Sequence, residues 1–150
     1  MAAPSSAVGG YLRTQATIAG LVNLVLNPAV DWLTSRHKPA QPVWGVEGLV
    51  VNFVITSLIL STLVGAFAAW GVRREARAGR LSARRTSQRG WLTGLGLGAA
   101  AAVVSVAAAW LLQAVGVATA SLTALMLVKA VYSGVLGYLV AAWVIRKCVQ

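Results

Sequence analysis

The side chains of this 150-residue sequence that could do chemistry lie mostly within apolar stretches. Asn23, Asn27 and Asp31 recur at four-residue spacing, which places them along one face of a helix. Lys129 is the cation that lies inside an apolar stretch near the C-terminus. A buried ammonium group needs a partner, because an isolated charge is strongly destabilised away from water. We therefore predict an ion pair between Lys129 and Asp31, with Glu47 as the alternative acid.

Further polar side chains lie in the same apolar stretches. Asn52 and Thr56 come early in the second stretch, and Tyr132 follows Lys129 by three residues. We predict that Asn27 and Asn52 are hydrogen-bond neighbours of the ion pair. Such a group of side chains can bind a ligand, or it can hold helices together. The candidate ligand-binding or pore-lining residues are Asn23, Asn27, Asp31, Asn52, Thr56, Lys129 and Tyr132.

The sequence lacks the residue patterns of catalytic and metal sites. Its three acids, Asp31, Glu47 and Glu75, are too dispersed for a catalytic pair of carboxylates. The single histidine, His37, lies in a short polar segment, and the single cysteine, Cys148, lies near the C-terminus. A metal site needs several such ligands close together. We predict a protein that is not an enzyme and that has no metal and no cofactor.

Four apolar segments must position these side chains. The sequence is 58% hydrophobic and 11% charged, whereas a soluble domain has about a quarter charged residues. A helix that crosses a bilayer needs about 20 mainly apolar residues. The pattern predicts an all-α integral membrane four-helix bundle in one membrane domain, residues 1–150. The predicted spans are 12–34, 47–71, 91–114 and 120–145, and the five residues 115–119 predict a tight turn and a hairpin of the last two spans.

The basic residues are distributed unevenly between the two sides of this bundle. Ten lie with the termini and the basic loop 72–90, and two, Arg36 and Lys38, lie on the other side. Cytoplasmic loops carry an excess of Lys and Arg, so we predict a bacterial inner-membrane protein with both termini in the cytoplasm. The clustered charge therefore does not indicate nucleic-acid binding. Seven arginines are expected to contact anionic lipids or an acidic partner: Arg73, Arg74, Arg77, Arg80, Arg84, Arg85 and Arg89.

Small residues at four-residue spacing predict where the helices contact each other. Membrane helices associate by close packing, which small side chains allow. These stripes predict either a tight bundle within one chain or a parallel homo-oligomer that uses one stripe between copies. The predicted packing residues are Ser57, Ser61, Gly65, Gly94, Gly98, Ser133 and Gly137.

The first span carries a resemblance to known proteins. The stretch from Asn23 through Asn27 and Pro28 to Trp32 resembles that of small four-span bacterial membrane proteins of unknown function. The resemblance covers one span and implies no activity. Residues 44–53 (WGVEGLVVNF) loosely resemble the second span of fluoride channels, but residues 91–114 lack the Thr/Ser/Phe-rich helix break of that family.

Two functions fit this sequence. In the first, the polar side chains line an outward-facing pocket through which the protein binds or passes a small anion or a lipid headgroup. In the second, the same side chains hold the helices together, and the chain is a non-catalytic accessory subunit of a larger membrane complex. The first is our leading expectation, because ionisable residues inside a membrane are often functional and because a span with Pro28, Asn23 and Asn27 is costly for a purely structural role.

Overall fold

The computed structural model describes residues 5–38, 40–46, 48–81 and 89–149. This part of the chain is all-helical apart from two three-residue strands. Within it, four helices are long and apolar enough to cross a membrane. Glu47, Arg84 and Arg85 lie outside the described residues. The elements are α1 (Ser5–Ser35), β1 (Ala40–Pro42), α2 (Leu49–Arg77), α3 (Gly90–Ala114), β2 (Thr119–Ser121) and α4 (Leu122–Val149).

The helices run beyond the apolar segments that predict them. α2 continues to Arg77, so the first part of the predicted basic loop 72–90 is helical. The residues there are good helix formers, and a charged helical turn is stable where it can reach water. The helix stops at Gly79, whose φ of 73° lets the Arg80 N–H bond to the Glu75 carbonyl at 3.0 Å in a Schellman cap. α3 stops in the same way at Gly116, with a φ of 84°.

The helices pack as two close pairs, α1 with α4 and α2 with α3, and α4 also packs against α2. The predicted tight turn does join α3 to α4, yet these two helices make few contacts with each other. Two helices that are consecutive in the chain are therefore not always packed closely against each other in this bundle.

Small residues explain the two close pairs. A methyl group on Gly94 of α3 would overlap the carbonyl oxygen of Ser61 on α2. A methyl group on Gly137 of α4 would come within 3.0 Å of the carbonyl oxygen of Ala19 on α1. The backbones can approach this closely only because the side chains are small. The predicted packing residues are all buried inside this bundle: Ser57, Ser61, Gly65, Gly94, Gly98, Ser133 and Gly137.

A small antiparallel sheet ties two loops together at one end of the bundle, which we call the strand end. Ala40 of β1 pairs with Ser121 of β2, and Pro42 pairs with Thr119. The Val43 N–H continues the contact by donating to the Ala118 carbonyl at 2.9 Å. The opposite end holds the C-terminal arginines of α2, and we call it the arginine end.

Candidate functional site

The described structure contains the predicted ion pair. The Nζ atom of Lys129 on α4 donates to Oδ1 of Asp31 on α1 at 2.6 Å. Asp31 is 2% exposed and Lys129 is 3% exposed. The pair is therefore closed off from its surroundings, and each charge is neutralised by the other.

A third helix joins the pair through Asn52. Lys129 Nζ also donates to Asn52 Oδ1 at 2.5 Å, and Asn52 Nδ2 lies 3.4 Å from Asp31 Oδ1. Thr56, one turn further along α2, donates its hydroxyl to Asn52 Oδ1 at 3.3 Å. We call Asp31, Asn52, Thr56 and Lys129 the charged cluster. It connects α1, α2 and α4.

Helix lengths explain why these residues meet. Asp31 lies about 6 Å before the end of α1, Asn52 about 5 Å after the start of α2, and Lys129 about 10 Å after the start of α4. The long Lys129 side chain can extend along its helix and close the remaining difference in depth. All these helix ends lie at the strand end of the bundle. The residues thus share one level, as their sequence positions predict.

One atom of the charged cluster has no hydrogen bond. Among the described residues, none donates to Oδ2 of Asp31, although this atom is buried. A buried carboxylate oxygen without a donor is unusual, because leaving it unpaired is unfavourable. The Asp31 carboxylate could accept one more donor at this position.

The two asparagines of α1 do not take part in the charged cluster. Asn27 Nδ2 bonds back to the carbonyl and the side-chain oxygen of Asn23, both at 3.2 Å. Asn23 Nδ2 bonds to the Ala19 carbonyl at 2.7 Å, and Ser133 of α4 donates to the Asn23 carbonyl at 2.8 Å. The prediction that Asn27 is a hydrogen-bond neighbour of the ion pair was wrong. Asparagine in a helix can satisfy itself on its own preceding turn, which competes with more distant partners.

Tyr132 belongs to a separate group of hydroxyls. Its OH lies 2.5 Å from Ser57 Oγ on α2 and accepts from Ser105 Oγ on α3 at 2.9 Å. Ser57 donates to the Phe53 carbonyl at 2.6 Å, so Tyr132 is the donor toward Ser57. We call Ser57, Ser105 and Tyr132 the hydroxyl cluster. It connects α2, α3 and α4.

Sequence reasoning did not identify Ser105 as a member of this cluster. Serine in an alanine-rich span has no feature that separates a hydrogen-bonding role from simple close packing. Ser57 and Ser133 were predicted as packing residues, and each also makes a hydrogen bond between helices. Small polar side chains serve both purposes in membrane helices.

Two cavities border predicted lining residues. A cavity of about 340 Å³ between α1 and α2 is bordered by Asn23, and a cavity of about 270 Å³ between α3 and α4 is bordered by Tyr132. Most of the other side chains around both cavities are apolar. The charged residues Asp31 and Lys129 do not line either of them.

The arginine end carries a second candidate site. Trp70, Arg73, Arg74 and Arg77 border a groove of about 690 Å³ on the C-terminal part of α2. The Arg74 guanidinium carbon lies 5.9 Å from the centre of the Trp70 ring, within cation–π distance. Arg80 is engaged with Glu75 in an exposed ion pair of 2.6 Å. Arg89 is exposed beside the start of α3.

The described part of the chain, with its gaps at 39, 47 and 82–88, contains no group of three His, Cys, Asp or Glu side chains that could hold a metal. Comparison of the chain with protein-family models, with curated proteins and with solved structures finds no match.

Proposed function

We propose that this chain is a multi-pass protein of the bacterial inner membrane with both termini in the cytoplasm, and that it is a non-catalytic accessory subunit that packs against other membrane proteins. Four apolar helices support the membrane location. The excess of basic residues on the side of the termini supports the orientation. The accessory role rests on one observation, the closed and neutral ion pair of Lys129 and Asp31.

The ion pair argues against a resting site for an anion. Lys129 already neutralises Asp31 and bonds to Asn52. An anion that took the place of Asp31 would leave a buried carboxylate unpaired, which costs about 3–5 kcal/mol. A neutral cluster that joins three helices fits a structural role, because it fixes how those helices are aligned.

The surface open to a partner is made of large apolar side chains. The small-residue stripes are used inside the bundle, whereas Leu21, Val25 and Leu33 of α1 are exposed. Helices already in lipid associate by van der Waals packing, so partner helices would pack on such broad faces. If copies of the chain associate with each other, the uneven charge of the two ends makes that assembly parallel.

The test compares ion flux with assembly. Liposomes that contain the purified chain are expected to release chloride, fluoride and phosphate no faster than protein-free liposomes. The chain extracted from its native membrane in polymer nanodiscs is expected to migrate on a native gel with a different membrane protein in fixed stoichiometry. Protein-dependent flux that Lys129→Met abolishes and the exposed control Arg80→Gln leaves intact would contradict the accessory role.

Transport through the charged cluster is the second candidate, and the free Asp31 Oδ2 atom favours it. A zwitterionic lipid headgroup could place its phosphate on Lys129 and its ammonium group on this oxygen. For that to happen, β1 and β2 would have to separate, since they close the strand end. The same flux measurement, with a fluorescent phosphoethanolamine lipid as the transported molecule, distinguishes this candidate from the accessory role.

The arginine end is proposed to contact anionic lipids of the cytoplasmic leaflet. Each Lys or Arg near such a surface contributes about 1 kcal/mol to binding. Trp70, beside the groove, has the amphipathic ring that prefers the interface. The residues assigned to this contact are Arg73, Arg74, Arg77, Arg80, Arg84, Arg85 and Arg89.

A further inference from the structure

The cavity between α3 and α4 has walls that suit a hydrocarbon chain. It measures about 270 Å³ and is lined by apolar side chains of α2, α3 and α4, among them Phe53, Ala109 and Leu125. Ser105 and Tyr132 contribute the hydroxyl groups that border it, and both are engaged in the hydroxyl cluster. The side chains of the described residues that line the cavity therefore present no free charge and no free donor to an occupant.

The position of the cavity determines how an occupant enters. It exists because α3 and α4 make few contacts, so a gap remains between them. Val104 of α3 and Val128 of α4 border the gap and are 65% and 59% exposed. Val43 and Val117, from the loops of the strand end, also border the cavity. The gap is thus continuous with the outward apolar faces of α3 and α4, while the loops cover it at the strand end.

The contents of such a space are limited by its chemistry. A dry apolar cavity of about 150 Å³ excludes water and accepts a molecule the size of benzene. An empty space of this kind loses the dispersion contacts of its walls. Water is therefore a poor occupant, and an uncharged apolar chain entering from the side is a good one.

We propose that this cavity binds one acyl chain of a lipid from the outer leaflet. The proposal rests on the membrane location and orientation given under the proposed function, and it goes beyond the accessory role. The chain inserts with its methyl end toward Tyr132, and its headgroup stays at the level of the strand end. The site is distinct from the arginine groove, which offers charge and lies at the other end of the bundle.

Photolabelling with a lipid tests this site. Nanodiscs contain the full chain and phosphatidylcholine with a diazirine near the middle of one acyl chain, and labelled residues are identified by peptide mapping. We expect labels on Leu125 and Ala109, which are 2% and 7% exposed and lie beyond the reach of lipid at the surface. We also expect labels on Val103, which is 70% exposed and outside the cavity lining.

Filling variants identify the cavity as the source of the buried labels. Ala108→Phe and, independently, Ala124→Leu place bulk in the cavity from α3 and α4. Each is expected to remove the label on Leu125 and to leave the label on Val103. Ala107→Phe, one residue away and outside the lining, is the matched control and is expected to change neither label.

The possible outcomes test the acyl-chain site separately from the membrane location. Labels on Val103 without labels on Leu125 overturn the acyl-chain site and leave the membrane location standing. Absence of label on both residues overturns the membrane location. A Leu125 label that survives both filling variants, or that Ala107→Phe also removes, overturns the assignment to this cavity.

Discussion

Removing either member of the Lys129–Asp31 pair is expected to destabilise the bundle more than removing both. Lys129→Met leaves Asp31 with one donor, Asn52 Nδ2 at 3.4 Å, and with Oδ2 still unpaired. Asp31→Leu leaves Lys129 with one acceptor, Asn52 Oδ1. Each single variant strands a charge that is at most 3% exposed, and breaking such a pair costs about 3–5 kcal/mol.

The double variant removes both charges and leaves a smaller defect. Asn52 then loses its bonds to the pair and keeps the Thr56 hydroxyl. An amide left partly unsatisfied costs about 1–3 kcal/mol. The double variant should therefore be less destabilised than the sum of the singles by at least about 3 kcal/mol, near the upper end of measured couplings. Hydrogen bonds between membrane helices average only about 0.6 kcal/mol, so a coupling of this size would identify a charge pair.

The assay is reversible unfolding in mixed dodecylmaltoside and SDS micelles, followed by tryptophan fluorescence. All four members of the cycle are measured under one set of conditions. Arg80→Gln is the control, because it breaks an ion pair whose side chains are 66% and 23% exposed, and it should leave the midpoint in place. Single effects that add within about 0.5 kcal/mol would refute the view that the buried charges depend on each other. Exchanging the two charges, with Asp31→Lys and Lys129→Asp in one chain, should restore the expression that each single variant loses.

Two further predictions concern packing and orientation. Gly94→Ala should destabilise the bundle by about 1–3 kcal/mol, because the new methyl group overlaps the Ser61 carbonyl. The control Gly96→Ala should not destabilise it, because a methyl group there meets nothing within 4 Å. The same micelle titration measures both variants, and equal losses of stability would contradict the close α2–α3 contact. Orientation is tested in a background in which Cys148 is replaced by serine. There, Val46→Cys should react with a membrane-impermeant maleimide in intact cells, whereas Ala78→Cys should react only in permeabilised cells. The reverse labelling pattern would contradict cytoplasmic termini.

Hydropathy and charge were sufficient to predict the helices and the ion pair. Apolar runs of the length of a bilayer leave few alternatives to helix, and one helix covers most of each predicted span, although α2 begins at Leu49 and the first two residues of the span 120–145 belong to β2. The pair was predictable because Lys129 had to find an acid, and the described acid at its level is Asp31. The energetic penalty for an unpaired charge made that contact easier to predict than any apolar one.

The neighbours of each helix were not predictable in the same way. A small-residue stripe shows which face of a helix is packed, but not which helix packs on it. The short turn at Gly116 favoured a close α3–α4 hairpin, yet Gly94 and Gly98 of α3 lie against α2. The strands β1 and β2 are three residues each and one contains Pro42, so no alternating pattern marks them. The predicted second span ends at residue 71, six residues before the end of α2 at Arg77. The difference arises because charged residues end an apolar run without ending a helix.

Two kinds of contact hold this bundle together, the close packing of small residues and the polar bonds between helices. Small residues hold α1 to α4 and α2 to α3 by close packing within each pair. The contacts between the pairs include Lys129 with Asn52 and Tyr132 with Ser57. In lipid, apolar side chains gain little by leaving the solvent for each other, so these polar bonds contribute specifically to keeping the pairs together. The charged cluster thus has a structural explanation that involves no substrate, because together with the hydroxyl cluster and the apolar contacts of α2 with α4 it joins the two helix pairs.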